Sequence, residues 1–193
     1  NKCGSKISWQ YPLVEITTGF LFLLITKTIT GYGILAIGYY FVVFSLLIII
    51  TVYDMRHQII PNPFVYLFDV LAFTSLFFVS DFGFRISDFI VGLALFAFFG
   101  SFWLFSKGKW MGLGDAKLAL GIGWFLGLQK GILAILLSFW IGTIVSIFLM
   151  IFYKNKINMK SKIALGPFMA LGTLIAFLYG RYIIKYIPLF WIN

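Results

Sequence analysis

The chain has 193 residues, is 62% hydrophobic and 11% charged, and has a mean hydropathy of +1.02 with a net charge of +9. A soluble domain must present a polar outside to water, so this composition excludes one and makes lipid the solvent for most of the chain. The single cysteine, Cys3, excludes an internal disulfide framework and a self-contained cysteine zinc site.

A membrane-spanning helix needs roughly 20 apolar residues, and the chain offers such stretches one after another. Residues 1–10 are polar and read as the end of a cytoplasmic loop; because the first residue is Asn and not Met, the chain is expected to begin inside a longer protein. Tyr11-Pro12 is a natural helix start, and Tyr11–Thr26 is the first expected span. Thr28–Gly33 turns the chain into a second span, Ile34–Tyr53, which ends at Asp54. Met55–Pro63 follows as a loop, since its prolines bias the preceding residues away from helix. Asn62–Ser80 is the third span and carries Asp69; Asp81–Arg85 is a tight outer turn; Phe89–Ser106 is the fourth span. A Gly/Lys-rich loop, Lys107–Gly114, leads into Leu113–Gln129 and then Gly131–Tyr153. The most basic loop, Lys154–Lys162, precedes the last span, Ile163–Gly180. The expectation is an all-α, polytopic membrane helix bundle with about seven transmembrane helices, forming one domain over residues 11–193. No internal repeat or other low-complexity tract interrupts it.

Seven spans divide the basic residues unequally. Lys2, Lys6, Arg56, Lys107, Lys109, Lys117, Lys154, Lys156, Lys160 and Lys162 fall on one side, and Lys27, Arg85, Lys130, Arg181 and Lys185 on the other. Excess Lys and Arg mark the cytoplasmic face, so the N-terminus, Asp54 and Asp115 are all expected there, in the cytoplasmic (inner) membrane. The basic groups lie in short juxtamembrane loops, which points to anionic headgroups of the bilayer and away from nucleic acid.

Asp54 and Asp115 are the informative residues. Ionisable groups at membrane depth are costly and commonly mark a site or a pathway. Two neighbouring carboxylates cannot both ionise cheaply, so one stays protonated as acid while the other acts as base. Such a pair can polarise a carbonyl and activate water to hydrolyse an amide without a metal or a covalent intermediate. Asp115 stands in Gly112-Leu113-Gly114-Asp115-Ala116-Lys117-Leu118, where Gly112 and Gly114 would permit close approach of an extended substrate backbone. Lys117 would either pair with a carboxylate or snorkel to headgroups. A structural role competes with this chemistry: an Asp at a helix start often caps free N–H groups. Asp54 is harder to read that way, because it closes its helix, where the dipole disfavours negative charge.

The remaining polar residues are weaker candidates. Asp69 is either a third member of the site or faces the bundle and bonds to a neighbouring hydroxyl. His57, the only histidine, reads as a solvated side chain beside Arg56, and Asp81 and Asp88 as interface charges flanking the outer turn. Glu15 in a first helical turn is favourable to the helix dipole, and its role stays open. Trp and Tyr near span ends read as interface anchors.

These residues together resemble a known family. Asp54 followed by Ile60-Pro61-Asn62, then Gly112-Leu113-Gly114-Asp115-Ala116-Lys117-Leu118, is similar to the prepilin peptidases, membrane aspartic proteases of the Gly-x-Gly-Asp type. Cys3-Gly4-Ser5-Lys6-Ile7-Ser8 leading to Tyr11-Pro12-Leu13-Val14-Glu15 resembles the end of the family's cysteine-bearing loop and the helix after it. Gly166-Pro167-Phe168 with Ala170-Leu171-Gly172 resembles its C-terminal Gly-Pro-Phe segment. The resemblance implies cleavage, at the cytoplasmic face and just after a Gly, of the short basic leader of type IV pilin-like or pseudopilin precursors, with Asp54 and Asp115 as the catalytic pair. It also implies S-adenosylmethionine for members that methylate the new N-terminus. The family's bacterial form commonly has two Cys-x-x-Cys pairs and an earlier span; this chain has only Cys3, which puts zinc and methyl transfer in question.

Two rival readings remain at the level of sequence. A proton- or cation-coupled transporter would use Asp54, Asp69 and Asp115 as a relay, but predicts paired broken helices in an internal repeat. A non-catalytic membrane subunit of a secretion machine predicts that Asp115→Asn leaves function intact.

Overall fold

The computed structural model describes residues 10–31, 33–78, 85–109, 111–152 and 164–187. Cys3, the Asp81 turn and the Lys154–Lys162 loop lie outside the described residues. Among the described residues there are six helices and no strand: α1 (Gln10–Thr28), α2 (Ile34–His57), α3 (Asn62–Phe78), α4 (Ile86–Ser106), α5 (Leu113–Phe152) and α6 (Gly166–Tyr186). Four of them, α2, α4, α5 and α6, are long and apolar enough to cross a membrane, and α3 is a shorter apolar helix. The chain is a multi-pass, all-α membrane protein. The expected count of about seven spans does not appear as seven separate helices.

The difference lies chiefly in α5, which runs through the position where two spans and a break near Lys130 were expected. Its 40 residues hold two helices that meet at a kink, where Gly127 has non-helical φ 74° and ψ −175°. The left-handed region strongly favours glycine. Arms 113–126 and 128–152 then fold toward one another, because a Cβ on Gly131 would lie 3.3 Å from the Gly123 Cα. In a straight helix those positions would be about 12 Å apart along the axis.

Asp88 fixes this bend and corrects its reading as an interface charge. Only 3% exposed, it accepts a hydrogen bond through Oδ1 from the Leu128 N–H at 3.0 Å, and its Oδ2 pairs with Arg85 Nε at 2.9 Å. The second arm of α5 begins with N–H groups that have no partner in their own helix, and Asp88 supplies one from α4. A carboxylate there also suits the positive end of the helix dipole.

The bundle is arranged around α5, which packs most extensively against α4, α6 and α3, while α1 lies outside against α2. Between lipid-facing helices the hydrophobic effect is weak, so close packing and internal hydrogen bonds hold the bundle. Phe44, Phe68, Leu47, Ile50, Leu118, Ile122, Leu133 and Met169 are fully buried. Tyr40, Phe44, Phe125 and Phe177 form an aromatic cluster joining α2, α5 and α6, with ring centroids 5.0–6.0 Å apart. Cross-helix bonds add direction: Tyr39 donates to the Leu71 carbonyl at 2.8 Å and Trp124 Nε1 to the Phe89 carbonyl at 3.1 Å. In α1, Thr17, Thr18, Thr26 and Thr28 return their hydroxyls to carbonyls one turn back, so these four donors do not face lipid unpaired.

Two further expectations shift. α2 continues past Asp54 to His57 and stops at Gln58, whose φ of 54° is left-handed, so the loop before α3 is shorter than expected. Glu15 lies in the second turn of α1 and is exposed, not in the first turn.

Candidate active site

Asp54 sits in the last turn of α2, only 4% exposed. A carboxylate at the end of its own helix is opposed by that helix's dipole, and the fold answers with another helix. Gly166, the first residue of α6, donates its N–H to Asp54 Oδ2 at 2.9 Å. The positive end of α6 thereby faces the negative group that α2 disfavours. Glycine is required at this junction, since a Cβ on Gly166 would lie 2.6 Å from Asp54 Oδ2. Pro167 follows in the first turn, where its missing N–H and fixed φ suit a helix start.

Asp115 occupies the first turn of α5, three residues after Gly112. Its Oδ2 accepts the Gly112 N–H at 3.1 Å, the return half of a capping box. The capping role weighed from sequence is therefore real, and it holds the carboxylate in one orientation. Ile60, six residues after Asp54, packs onto Gly114, the residue before Asp115, so the fold brings together the segments that carry two aspartates 61 positions apart in the sequence. Each uses Oδ2 to hold one backbone amide at a helix N-terminus.

The two glycines of the motif differ. Gly114 is filled from within: a Cβ there would lie 2.7 Å from the Ile60 Cβ, so the loop after α2 closes directly onto the start of α5. Gly112 is exposed, and a Cβ on it would meet only the Asp115 carboxylate and the Gly114 amide, at 3.4 and 3.9 Å. Lys117 neither pairs directly with a carboxylate nor snorkels freely. Its Nζ donates to Asn62 Oδ1 at 2.9 Å and to Tyr66 Oη at 2.7 Å, and lies 4.5 Å from the Tyr66 ring centroid. Asn62 and Tyr66 are one turn apart on α3, so Lys117 clasps α3 to α5 immediately behind Asp115.

Asp69 is 7% exposed and Oδ1 is buried without a hydrogen-bond partner, so the neighbouring-hydroxyl reading does not hold for that atom. His57 is exposed at the end of α2, stacked on Tyr53 with centroids 4.3 Å apart. Sequence reasoning missed the Asn62–Lys117–Tyr66 clasp, which no local signal marks. The amide of Gly166 was reachable only through its Gly-Pro helix-start signature. Among the described residues no group of three His, Cys, Asp or Glu could hold a metal ion.

Two aspartates, each accepting a backbone amide at a helix N-terminus, thus stand within a bundle of apolar helices. Residues 41–147 match the type IV leader peptidase family, and the chain belongs to it. Proteins named prepilin leader peptidase/N-methyltransferase are similar over most of its length. The one from Aeromonas salmonicida is 30% identical over 188 residues, covering 95% of this chain and 63% of its own. That from Bacillus subtilis is 30% identical over 186 residues, covering 95% of this chain and 72% of its own. That from Legionella pneumophila is 30% identical over 196 residues, covering 98% and 66%. The chain thus spans about 63% of the length of its Aeromonas relative. No solved structure matches.

Proposed function

We propose that this chain is a membrane aspartic endopeptidase that removes the basic leader of type IV pilin-like precursors at the cytoplasmic face of the inner membrane. The observation that supports the reading is that Asp54 and Asp115 each tie Oδ2 to a backbone amide at a helix N-terminus, which in this reading leaves Oδ1 for water and substrate. The ionised member takes a proton from water as its oxygen bonds to the scissile carbonyl carbon. The protonated member donates to the carbonyl oxygen, and a proton then passes to the leaving amide nitrogen as the C–N bond breaks. Gly112 borders this point as the open glycine; Gly114 admits Ile60; Lys117 fixes the arm that carries Asp115.

Residues 11–193 act as a single peptidase domain in this reading. In this reading the two arms of α5 count separately and join α1, α3 and the other long helices as seven spans, with Asp54 and Asp115 at one face. The names of the relatives support the substrate class. Family membership disfavours the transporter. The relatives' names also include N-methyltransferase, which would use S-adenosylmethionine. The cleft between α3 and α5 and a smaller one beside Phe139 and Phe168 have walls that are almost wholly apolar, a poor match to a cationic sulfonium and ribose hydroxyls. The proposal includes no methyl-transfer step.

The test is processing of a pilin-like precursor by the protein in membranes, read as the mobility shift on leader loss, beside Asp54→Asn and Asp115→Asn. Cleavage by the parent and by neither variant establishes the pair; no cleavage by a folded, full-length parent overturns the reading.

A further inference from the structure

A cleft of about 530 Å³ opens sideways between α3 and α5, with Phe96 of α4 at its edge. Its walls are Val70, Phe73, Phe96, Leu120 and Trp124, with Tyr66 and Lys117 at one end. Asp69 borders it too, but its buried Oδ1 lies against α5, where a Cβ on Gly121 would stand. The walls are therefore hydrocarbon almost throughout, and water is a poor occupant of so apolar a space.

The Lys117 end differs in charge. Helices α3 and α5 start side by side there, since Ile60 packs onto Gly114 and Lys117 bonds to Asn62. Two helix N-termini thus turn their positive dipole ends the same way. An ammonium has three N–H donors. Lys117 gives two of them to Asn62 and Tyr66, and the third has no partner among the described residues. Lys117 remains partly exposed. Asp115 stands two residues earlier, off the face that Lys117 occupies, and bonds to the Gly112 amide instead. This end suits an anion, and the rest of the cleft suits hydrocarbon.

Size narrows the occupant. Lys117 and Trp124 are seven residues apart, about 10 Å along the arm. A helix about 10 Å across would take up roughly 800 Å³ over that length, more than the cleft holds. One acyl chain is slimmer and enters whole. The apolar walls alone do not select a lipid, because lipid tails are as apolar as the side chains around them. Selection falls to the cation.

We propose that this cleft is a binding site for an anionic phospholipid, with one acyl chain along Val70, Phe73, Leu120 and Trp124 and the phosphate accepting the third N–H of Lys117. The site is independent of the peptidase reading.

Brominated acyl chains quench tryptophan on contact, and Trp124 lines the cleft. The test reconstitutes the full chain in phosphatidylcholine vesicles containing a rising fraction of brominated phosphatidylglycerol or brominated phosphatidylcholine. The Trp124 share of the quenching is the difference between the parent and Trp124→Phe. Trp140, 69% exposed on the second arm of α5, reports bulk lipid in the same way through Trp140→Phe. Half-quenching of Trp124 is expected at about a fivefold lower fraction of the anionic lipid, the effect of one lysine near an anionic headgroup. Trp140 should respond equally to both lipids. Lys117→Arg should keep the preference and Lys117→Met should lose it, in samples whose helical circular dichroism matches the parent. Val70→Phe leaves Lys117 in place and fills the cleft, so it should weaken Trp124 quenching by both lipids. Equal quenching of Trp124 by the two lipids would overturn the site, as would the same preference at Trp140. A preference that survives Lys117→Met would overturn the phosphate contact. Recovery of Trp124 fluorescence on adding a pilin-like precursor, with no lipid preference beforehand, would give the cleft to a protein segment instead.

Discussion

The amide of Gly166 and the carboxylate of Asp54 meet at 2.9 Å across 112 residues of chain. This contact joins the end of α2 to the start of α6 and turns an electrostatic conflict within one helix into a favourable arrangement between two.

Substituting Gly166 tests that junction. A Cβ there would collide with Asp54 Oδ2 at 2.6 Å, whereas one on Gly100 meets nothing within 4 Å. Gly166→Ala is expected to lower precursor cleavage by about tenfold or more, because a carboxylate displaced by about 1 Å loses its alignment. Gly100→Ala should leave cleavage within about twofold of the parent. Equal effects from both would show that the contact does not set the geometry of Asp54.

The proposed catalytic pair makes its own prediction. Asp54→Asn and Asp115→Asn should each reduce the rate by about a hundredfold to ten-thousandfold, the range of general acid–base catalysis. Since the two act as one unit, the double variant should be no slower than the worse single one. Helical circular dichroism in detergent should match the parent, so that the loss is chemical.

How much of this was legible beforehand depended on whether the cause was local. Asp54, Asp115 and the glycines stand out because a charge or a flexible residue is conspicuous in an apolar run, and the helices follow from hydrophobic length. The exact place of the break in α5 was not legible: Lys130 suggested a loop, while the kink is made three residues earlier by Gly127 and a carboxylate from another helix. Asp88 misled for the same reason. Its position near a turn resembles a wet charge, and only the packing of α4 on α5 buries it. The Asn62–Lys117–Tyr66 clasp spans more than 50 residues and obeys no periodicity.

The bend should be sensitive to Asp88 and tolerant of Arg85. Asp88→Ala leaves the part-buried Leu128 N–H without its partner, costing about 1 kcal/mol or more. Arg85→Ala removes a partner whose side chain is 56% exposed, and should cost at most about 1 kcal/mol. Thermal unfolding followed by intrinsic tryptophan fluorescence would separate the two; similar Tm losses would contradict the capping account.

The clasp predicts a graded response at α3. Tyr66→Phe keeps the aromatic face over Lys117 but removes one acceptor, a loss of about 0.5–1.5 kcal/mol. Lys117→Met removes the donor and strands both acceptors, and should reduce both stability and cleavage further. If Lys117→Met cleaves as fast as the parent, the clasp does not position Asp115.

Gly127 has one more consequence. Run straight, α5 would extend about 60 Å, twice the roughly 30 Å thickness of a bilayer's hydrocarbon core. Cut at Gly127, its first arm reaches only about 21 Å, and α3 beside it about 26 Å. The shortest walls of the bundle are thus the two that flank Asp115, and lipid must thin around them to avoid exposing apolar surface to water. A bilayer thinned at these walls would form a dimple around the protein, and on the peptidase reading hydrolytic water would reach the aspartates through that local depression.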